Sequence, residues 1–462
     1  MIIGFKKISK AVPLWKFFII ILWLQILLPG CKIKSGNQKN VKHPLIGRFA
    51  GYFEYKDKRL NTTINFDSQN NKQVAFISIP DNLQLDKPFT KVVFDSPHIN
   101  LSMADGDQTI TITADLNKNK IAGTLQNKLR ANIYLTKVNN YKPPVKNYTI
   151  EEVVLNNHEI KLNAKLYLPK TNSPSSAIIM ICGSGAHAKE EYNGGADMFA
   201  TAGIATLIFD KRNVTNFPGL NLKHINSDIA TMRSLVSDVE TAFDFLKGRK
   251  EINPVKIGLI GFSLGAVEAP VVAAKHSDIA FIIVVSGNAT TDKEFIINQG
   301  INLLKEKNYS DAIIVKANEI YNKLFQYADN RANKKQLQKS LDSAFKDGWG
   351  QFVFPSEVPN DDELKYLITW NNYKFDPADY WRKINVPCLV VYGEKDKYIP
   401  VERSIEILNK IFANKKHLLT LILYPNADHT ITTIPQQDNF DFPKYADGYI
   451  SELTQWLCKQ VK

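Results

Sequence analysis

From Leu45 to about Lys137, hydrophobic and polar residues alternate in short runs that are separated by turn residues. The runs have the length of strands and are rich in Ile, Val, Thr, Phe and Tyr, as in QVAFISIP, TITITADLNKN and RANIYLTKV. Alternation with a period of two is typical of strands that bury one face, and the intervening Asn, Asp, Gly and Pro indicate turns. The pattern predicts a small antiparallel all-β domain over residues 45–140, either a barrel or a sandwich.

After the proline-bearing stretch NYKPPVKN, buried apolar runs alternate with helical segments. This order is typical of an α/β fold, a doubly wound, mainly parallel sheet with helices on both faces. One helix is expected in NSDIATMRSLVSDVETAFDFLKG, where Leu235, Val239, Ala242 and Leu246 share a face and Gly248 ends the segment. The pattern predicts an α/β domain over residues 141–462, with strands at 160–168, 177–182, 204–209, 257–261, 280–285, 388–392 and 418–424.

The alternation is interrupted between residues 288 and 380. Amphipathic stretches such as AIIVKANEIYNKLFQYA and KKQLQKSLDSAFKDGWG are followed by loop-like sequence that contains Pro355 and Pro359. The segment is longer than an ordinary connection and too long to be structureless inside a compact domain. We predict a helical lid insertion that lies over the ends of the strands.

The first 31 residues have a different pattern. Four lysines precede an apolar run, residues 17–28, which is shorter than the roughly 20 residues that span a bilayer. The run ends in Leu-Pro-Gly-Cys, which resembles the lipobox of bacterial lipoproteins and implies lipid attachment at Cys31. The alternative is an uncleaved signal anchor. Both interpretations predict an exported protein held at the membrane of the cell envelope, and the polar residues 32–44 are expected to form a tether.

The charge distribution and the cysteine spacing argue against nucleic-acid binding, a disulfide framework and a zinc site. The net charge is +12 at pH 7, but the lysines are spread along the chain without a basic helix, so we expect a solvated basic surface and no nucleic-acid partner. Cys182 and Cys388 lie in apolar runs and are expected in the core, while Cys458 falls in a helical pattern. No paired spacing indicates a disulfide framework or a zinc site, and no metal or organic cofactor is expected.

The pentapeptide Gly261-Phe262-Ser263-Leu264-Gly265 lies between a predicted strand and a predicted helix. A nucleophilic serine on such a turn adopts a strained conformation, and flanking glycines remove side chains that would clash. The helix that begins there also directs the backbone N–H of Leu264 at the serine, where it could stabilise an oxyanion. The alternative is that Ser263 only caps the helix.

A serine needs a base, and the base needs an acid to orient it. Asp396 follows the strand in NVPCLVVYGEKDKYIP, and His429 follows the strand in LLTLILYPNADHTIT. Carboxyl ends of parallel strands share one edge of a sheet, so Ser263, Asp396 and His429 are predicted to converge there. An Asx turn at Asp396 and a surface histidine at 429 are the alternatives; Asp376 and Asp379 precede their strand and are worse placed.

Four other polar residues lie near these motifs. Asp428 is expected to be a solvated or structural neighbour of the histidine, and His187 to be a solvent-facing loop residue rather than a substrate contact. Lys211 and Arg212, at a strand end, are expected to be structural. Binding of a substrate carboxylate is the alternative for this pair.

From about residue 148 onward, CGSGAHAKEE, LIFDKRN, IGFSLG, VYGEKDKYIP and PNADHT make the chain resemble the α/β-hydrolase superfamily, and most of all its bacterial secreted esterase and serine-aminopeptidase-like branch. The resemblance implies that Ser263 is the nucleophile, Asp396 the acid and His429 the base. It also implies a second oxyanion N–H from the loop after Cys182, at Ser184. Relatives often have His-Gly where this chain has Cys182-Gly183. The β domain ahead of the hydrolase is also similar to that of some esterases.

Three functions follow as hypotheses. The first is an exported serine hydrolase that cleaves small carboxylic esters through an acyl-enzyme. The second is an aminopeptidase-like serine peptidase that uses the same triad, because selectivity depends on the pocket and the insertion. The third is a non-catalytic surface lipoprotein built on a hydrolase scaffold. The sequence leaves open the oligomeric state and whether the β domain binds substrate or is a spacer.

Overall fold

The computed structural model describes residues 44–105, 108–126, 130–185, 187–212, 231–361, 363–364, 374–433 and 442–461. The predicted signal segment, Cys31 and residues 32–43 of the predicted tether lie outside these ranges. Among the described residues, no helix combines the length and the apolar character needed to cross a membrane.

The N-terminal domain is a single antiparallel sheet in the order β4-β3-β2-β1-β9-β8-β7-β6-β5. Its strands are β1 (Gly47–Tyr55), β2 (Lys58–Gln69), β3 (Lys72–Ile79), β4 (Gln84–Pro88), β5 (Lys91–Asp95), β6 (His98–Asp105), β7 (Gln108–Asn117), β8 (Lys120–Gln126) and β9 (Arg130–Lys137). The predicted all-β domain is confirmed. The sequence pattern missed β4, which has only five residues and carries Asp86 and Lys87.

The sheet curves into a half-barrel around one apolar core. The first strand pairs with both β2 and the last strand, β9, so the ends of the domain lie side by side. The N–H of Phe89 donates to the carbonyl of Ala75 at 3.0 Å, and the N–H of Thr90 donates to that of Ser102 at 2.8 Å, which ties the β4–β5 turn to β3 and β6. Alternating residues of β9 are buried, as a period of two requires.

The second sheet has the order β10-β11-β13-β12-β14-β15-β16-β17. Its strands are β10 (Tyr148–Asn157), β11 (Ile160–Pro169), β12 (Ser175–Ile181), β13 (Ala205–Phe209), β14 (Ile252–Phe262), β15 (Ile282–Val285), β16 (Cys388–Gly393) and β17 (Leu419–Tyr424). The doubly wound, mainly parallel sheet is confirmed, but β10 and β11 run antiparallel to their neighbours. The sequence pattern did not predict β10, a polar edge strand in which only Tyr148, Leu155 and Asn157 are buried.

The described α-helices are α1 (Asn193–Thr201), α2 (Met232–Lys247), α3 (Leu264–Lys275), α4 (Asp292–Glu306), α5 (Asp311–Asn330), α6 (Lys334–Lys346), α7 (Ala378–Trp381), α8 (Val401–Ile411) and α9 (Tyr449–Val461). The predicted helix α2 is confirmed. Thr231 caps it by accepting the N–H of Ser234, Gly248 follows its last residue, and its apolar face is buried.

Residues 292–374 form a compact unit, which contains α4 to α6. This unit has its own core, in which Tyr321 packs on Phe354 with ring centroids 4.7 Å apart and Trp349 contacts the same ring. The amphipathic pattern in the sequence is thus explained by helices that bury a face within the insertion. A position of the insertion over the strand ends stays a prediction.

The half-barrel docks on the first turn of α1 in the α/β domain. A Cβ on Gly194 would overlap the carbonyl oxygen of Leu83 in the turn before β4, so the two backbones touch where only glycine fits. The side-chain amide of the neighbouring Asn193 donates to the carbonyl of Leu85 at 3.2 Å. Phe442, from the C-terminal part of the chain, is buried in the half-barrel core.

This contact predicts opposite effects of alanine at two adjacent glycines. Gly194→Ala should destabilise the protein by about 1–3 kcal/mol, because a methyl group would push against the Leu83 backbone. Gly195→Ala is the matched control: its Cβ would meet only the flexible end of Met180, 2.8 Å from Cε, and alanine favours a helix. Urea unfolding of both variants measures the difference, and equal midpoints would contradict the docking contact.

Candidate active site

Ser263 occupies the turn between β14 and α3 in a strained conformation, with φ 53° and ψ −112°. Its N–H donates to the carbonyl of Val285 at 2.9 Å, which holds the turn against β15. A Cβ on Gly261 would overlap the carbonyl of Gly265, and one on Gly265 would overlap that of Ile181. The glycines of the motif are therefore required by close backbone approach. Ser263 stands at the N-cap position of α3, but its side chain makes no capping hydrogen bond.

The three predicted triad residues converge. His429 Nε2 lies 2.9 Å from Ser263 Oγ, and His429 Nδ1 lies 2.7 Å from Asp396 Oδ2. Because Nδ1 faces a carboxylate, the tautomer inferred from these contacts carries its hydrogen there and leaves Nε2 to accept the serine proton. The Asp396 side chain is fully buried, whereas that of His429 is 19% exposed.

Asp396 makes both the contact expected of the triad acid and the Asx turn that was its alternative. Its Oδ1 accepts the backbone N–H groups of Tyr398 at 2.8 Å and Ile399 at 3.1 Å, an Asx-type turn, while Oδ2 faces the histidine. The rival carboxylates have other partners. Asp376 accepts the N–H of Ala378, and Asp379 pairs with Arg382 on the surface.

The loop that carries His429 is fixed by residues on both sides. Ser286, directly after β15, donates its hydroxyl to the carbonyl of His429 at 2.7 Å. Asp428 accepts the N–H groups of Thr430 at 2.8 Å and Thr432 at 3.1 Å, so it is structural, as expected. Sequence reasoning missed Ser286, because its partner is 143 residues away and only its position at a strand end could have drawn attention to it. The ring of Tyr398 stands edge-on to the imidazole, 5.1 Å away.

The two predicted oxyanion donors lie on different segments. Leu264 is the first residue of α3, and the N–H groups of a first helical turn have no partner within the helix. Gly183 lies directly beside Ser263, since a Cβ on it would be 3.3 Å from Ser263 Cβ. Ser184 follows Gly183 and is thus close to the same turn. The donor role of the Ser184 N–H stays a prediction.

His187 is not the solvent-facing loop residue that was expected, because its side chain is only 23% exposed and both ring nitrogens have partners. Nε2 lies 2.6 Å from the carbonyl of Ser184, and Nδ1 lies 2.9 Å from Glu191 Oε2. A carbonyl oxygen can only accept a hydrogen bond, so Nε2 donates to Ser184. The His187 ring thus links the loop after β12 to the turn just before α1. Its hydrogen bond to the Ser184 carbonyl fixes the peptide unit to which that carbonyl belongs.

The pKa of Glu191 is lowered by this arrangement. Burial is the largest influence and raises the pKa, but the hydrogen bond and charge of His187, the charge of Lys87 and the Ala188 N–H together outweigh it. The carboxylate is thus held ionised beside the candidate site.

The side chains of Lys211 and Arg212 bind other groups of the protein, as expected if the two residues are structural. Arg212 makes a bidentate ion pair with buried Asp238, with both N–O distances 2.7 Å. Asn157 donates to the same carboxylate at 2.7 Å. The Lys211 amine donates to the carbonyl of Gly183. These contacts give no support to the alternative that the pair binds a substrate carboxylate.

No group of three or more His, Cys, Asp or Glu residues that could hold a metal is found in the described ranges. Cys182 and Cys388 are buried free thiols, as expected, and Cys458 is a partly buried one.

The lowered pKa of Glu191 predicts how stability depends on pH. A carboxyl whose pKa is lower in the folded state stabilises it above the unfolded pKa, about 4.3, and this contribution is lost as pH falls through the folded-state pKa. Glu191→Gln should therefore melt below the wild type at pH 7, and the gap should close as the pH falls below 4. Glu406→Gln, which breaks the exposed pair with Arg403, is the control. Melting temperatures measured from pH 7 to below pH 4 test this prediction. A difference in melting temperature between variant and wild type that stays constant with pH would rule it out.

The chain shares sequence with proteins of known class. It is 21% identical over 314 residues to Esterase EstD of Thermotoga maritima, covering 64% of this chain and 66% of the esterase. It is 27% identical over 150 residues to Thiohydrolase aneE of Aspergillus aculeatus, covering 32% of this chain and 45% of that protein. The chain thus spans slightly less than two thirds of the first relative and under half of the second.

A solved structure, Est1E from Butyrivibrio proteoclasticus, aligns with a TM-score of 0.40 at 17% identity, covering 67% of this chain and 98% of that one. The model of the X-Pro dipeptidyl-peptidase (S15) family matches residues 158–430, well over half of the chain. The predicted superfamily is confirmed. The protein therefore belongs to the X-Pro dipeptidyl-peptidase (S15) family, within the α/β-hydrolase superfamily.

Proposed function

We propose that this protein is a serine hydrolase that cleaves carboxylic esters through an acyl-enzyme. The observation that carries the proposal is the continuous contact from Ser263 Oγ to His429 to Asp396, with distances of 2.9 and 2.7 Å. Family membership supports a serine hydrolase, and the likeness to Esterase EstD supports an ester as its substrate.

The proposed mechanism gives each member of the triad a role, and the geometry supports it. His429 Nε2 takes the proton of Ser263 as Oγ attacks the acyl carbon. The ring becomes positively charged in this step, and Asp396 stabilises that charge because its carboxylate is fully buried and faces Nδ1. His429 then gives the proton to the leaving alcohol and activates the water that releases the acid.

Charge develops on the acyl oxygen during attack, and the N–H groups of Leu264 and Ser184 are the proposed donors to it. Loss of one such donor costs about 10²–10³ in rate in enzymes of this type. No metal or organic cofactor takes part in this mechanism.

A peptidase with the same triad is the second candidate, and the family match favours it because the family is named for an X-Pro dipeptidyl-peptidase. Acyl transfer from an ester and from an amide uses the same nucleophile, base and oxyanion donors. The third hypothesis, a binding protein on an inactive scaffold, is disfavoured by the intact hydrogen-bond chain at Ser263.

A substrate panel separates these candidates. The wild type should hydrolyse short p-nitrophenyl acyl esters faster than aminoacyl-anilides and Xaa-Pro-anilides, and a fluorophosphonate should label Ser263. Ser263→Ala should lose at least about 10⁴-fold in kcat with little change in melting temperature, because the hydroxyl is the attacking group. Turnover of anilides with inert esters would make the protein a peptidase. Folded wild type without turnover or label would favour the binding protein.

We also propose that the protein is exported and attached to the membrane of the cell envelope through a lipid on Cys31. The Leu-Pro-Gly-Cys motif after a signal-length apolar run supports this. Cys31→Ser should remove the label after growth with a radioactive fatty acid, and Cys458→Ser, a partly buried thiol elsewhere in the chain, is the control. Unchanged labelling in Cys31→Ser would contradict the proposed attachment site.

A further inference from the structure

Lys211 contacts the loop beside the nucleophile at two points. Its backbone N–H donates to the carbonyl of His187 at 3.0 Å, and its side-chain amine donates to the carbonyl of Gly183. The residue is 5% exposed and lies two positions after the end of β13. The long alkyl chain of lysine usually lets its amine reach solvent, so lysine is rarely buried. A buried lysine amine that donates to a backbone carbonyl is therefore unusual.

The contact with Gly183 has a geometric consequence for Ser184. The carbonyl of Gly183 and the N–H of Ser184 belong to one peptide unit, which is planar and trans, so the two groups point in opposite directions. A donor that fixes the direction of the carbonyl therefore also fixes the direction of the N–H. Because Gly183 lies against Ser263, the peptide unit that carries this N–H begins beside the candidate nucleophile.

The next peptide unit is fixed as well. His187 Nε2 lies 2.6 Å from the carbonyl of Ser184 and donates to it. The two peptide units on either side of the Ser184 Cα are thus each held by a side chain, Lys211 on one and His187 on the other. The backbone at Ser184 cannot rotate without breaking one of these hydrogen bonds.

The charges of the groups around Lys211 leave its side-chain amine available to polarise the Gly183–Ser184 peptide. Burial raises the pKa of Glu268, on α3, to about 8, although Lys211 and Arg212 act against it. This shift favours the neutral form of Glu268, whose Oε1 is buried without a hydrogen-bond partner. Asp238, whose charge acts on Glu268, is paired with Arg212. A cationic donor on a carbonyl strengthens the opposite N–H as a donor, since hydrogen bonds along one peptide polarise each other.

We propose that Lys211 is a positioning residue for the proposed hydrolysis: its amine fixes and polarises the Gly183–Ser184 peptide, so that the Ser184 N–H is directed at the oxyanion. The inference rests on the proposed function and adds the group that makes Ser184 a donor. It does not require Lys211 to touch substrate.

Lys211→Met tests the proposal, because it removes the donor and keeps most of the alkyl stem. The full chain is assayed with p-nitrophenyl butyrate, and phenylboronic acid is used as a probe that forms a tetrahedral adduct on the nucleophile. We expect kcat to fall about tenfold to a hundredfold with KM within about threefold, and boronate affinity to fall by a similar factor as kcat. Lys211→Arg, which keeps a cationic donor, should recover most of kcat.

Lys415→Met is the matched control, because Lys415 also donates from a half-buried amine to backbone carbonyls, those of Arg382 and Ile384. It should lower the melting temperature without changing kcat. If Lys211→Met does not fold, Lys211→Gln, whose amide is too short to reach Gly183 in the same way, takes its place with the same expected losses.

The outcomes separate this inference from the function on which it rests. Wild-type kcat and boronate affinity in a folded Lys211 variant would make the contact only structural and overturn the inference, while the hydrolase proposal would stand. A change in KM alone would also overturn it, since it would indicate a role in substrate binding. A folded wild type that neither hydrolyses the ester nor binds the boronate would overturn both.

Discussion

The turn at Ser263 depends on backbone segments that approach more closely than any side chain would permit. Gly261 faces the carbonyl of Gly265, Gly265 faces that of Ile181, and the serine itself has a positive φ, which costs energy for a residue with a Cβ. The bond from the Ser263 N–H to Val285 on the next strand offsets part of this strain. Every other group of the candidate site is arranged around the hydroxyl that this turn presents.

The site has two halves that different parts of the sheet support. Asp396, His429 and Ser286 come from the ends of β16, β17 and β15, and in the proposed mechanism they serve proton transfer. The loop after β12 is proposed to stabilise the developing negative charge. Lys211, just after the end of β13, holds this loop through its hydrogen bonds. Neighbouring strands thus supply both the chemistry and its support, which is why a parallel sheet with all carboxyl ends at one edge suits this kind of site.

Local patterns in the sequence were sufficient to predict the α/β sheet, the β domain and the convergence of Ser263, Asp396 and His429. Each of these follows from a periodic pattern or a strand end, and the order of the motifs limits how they can meet. The contacts of Ser286, His187 and Lys211 could not be predicted, because each joins backbone groups to a side chain through tertiary structure. Lys211 and Gly183 are 28 residues apart, and no spacing rule connects a lysine with a distant carbonyl. Likewise β10 was missed because pairing at a sheet edge, rather than its own apolar pattern, makes it a strand.

The backbone contact between Gly194 and Leu83 ties the half-barrel to α1, the helix that begins just after the loop beside Ser263. Because this contact is between two backbone segments, no side chain can adjust to a change in either one. The turn at Leu83 and the start of α1 therefore have to match each other. A chimaera that combines this α/β domain with the β domain of a distant relative would need the same turn before β4 and a glycine opposite it. The two domains are therefore expected to be inherited as a pair, and a recombination point between them should be tolerated only among homologues that keep both halves of this contact.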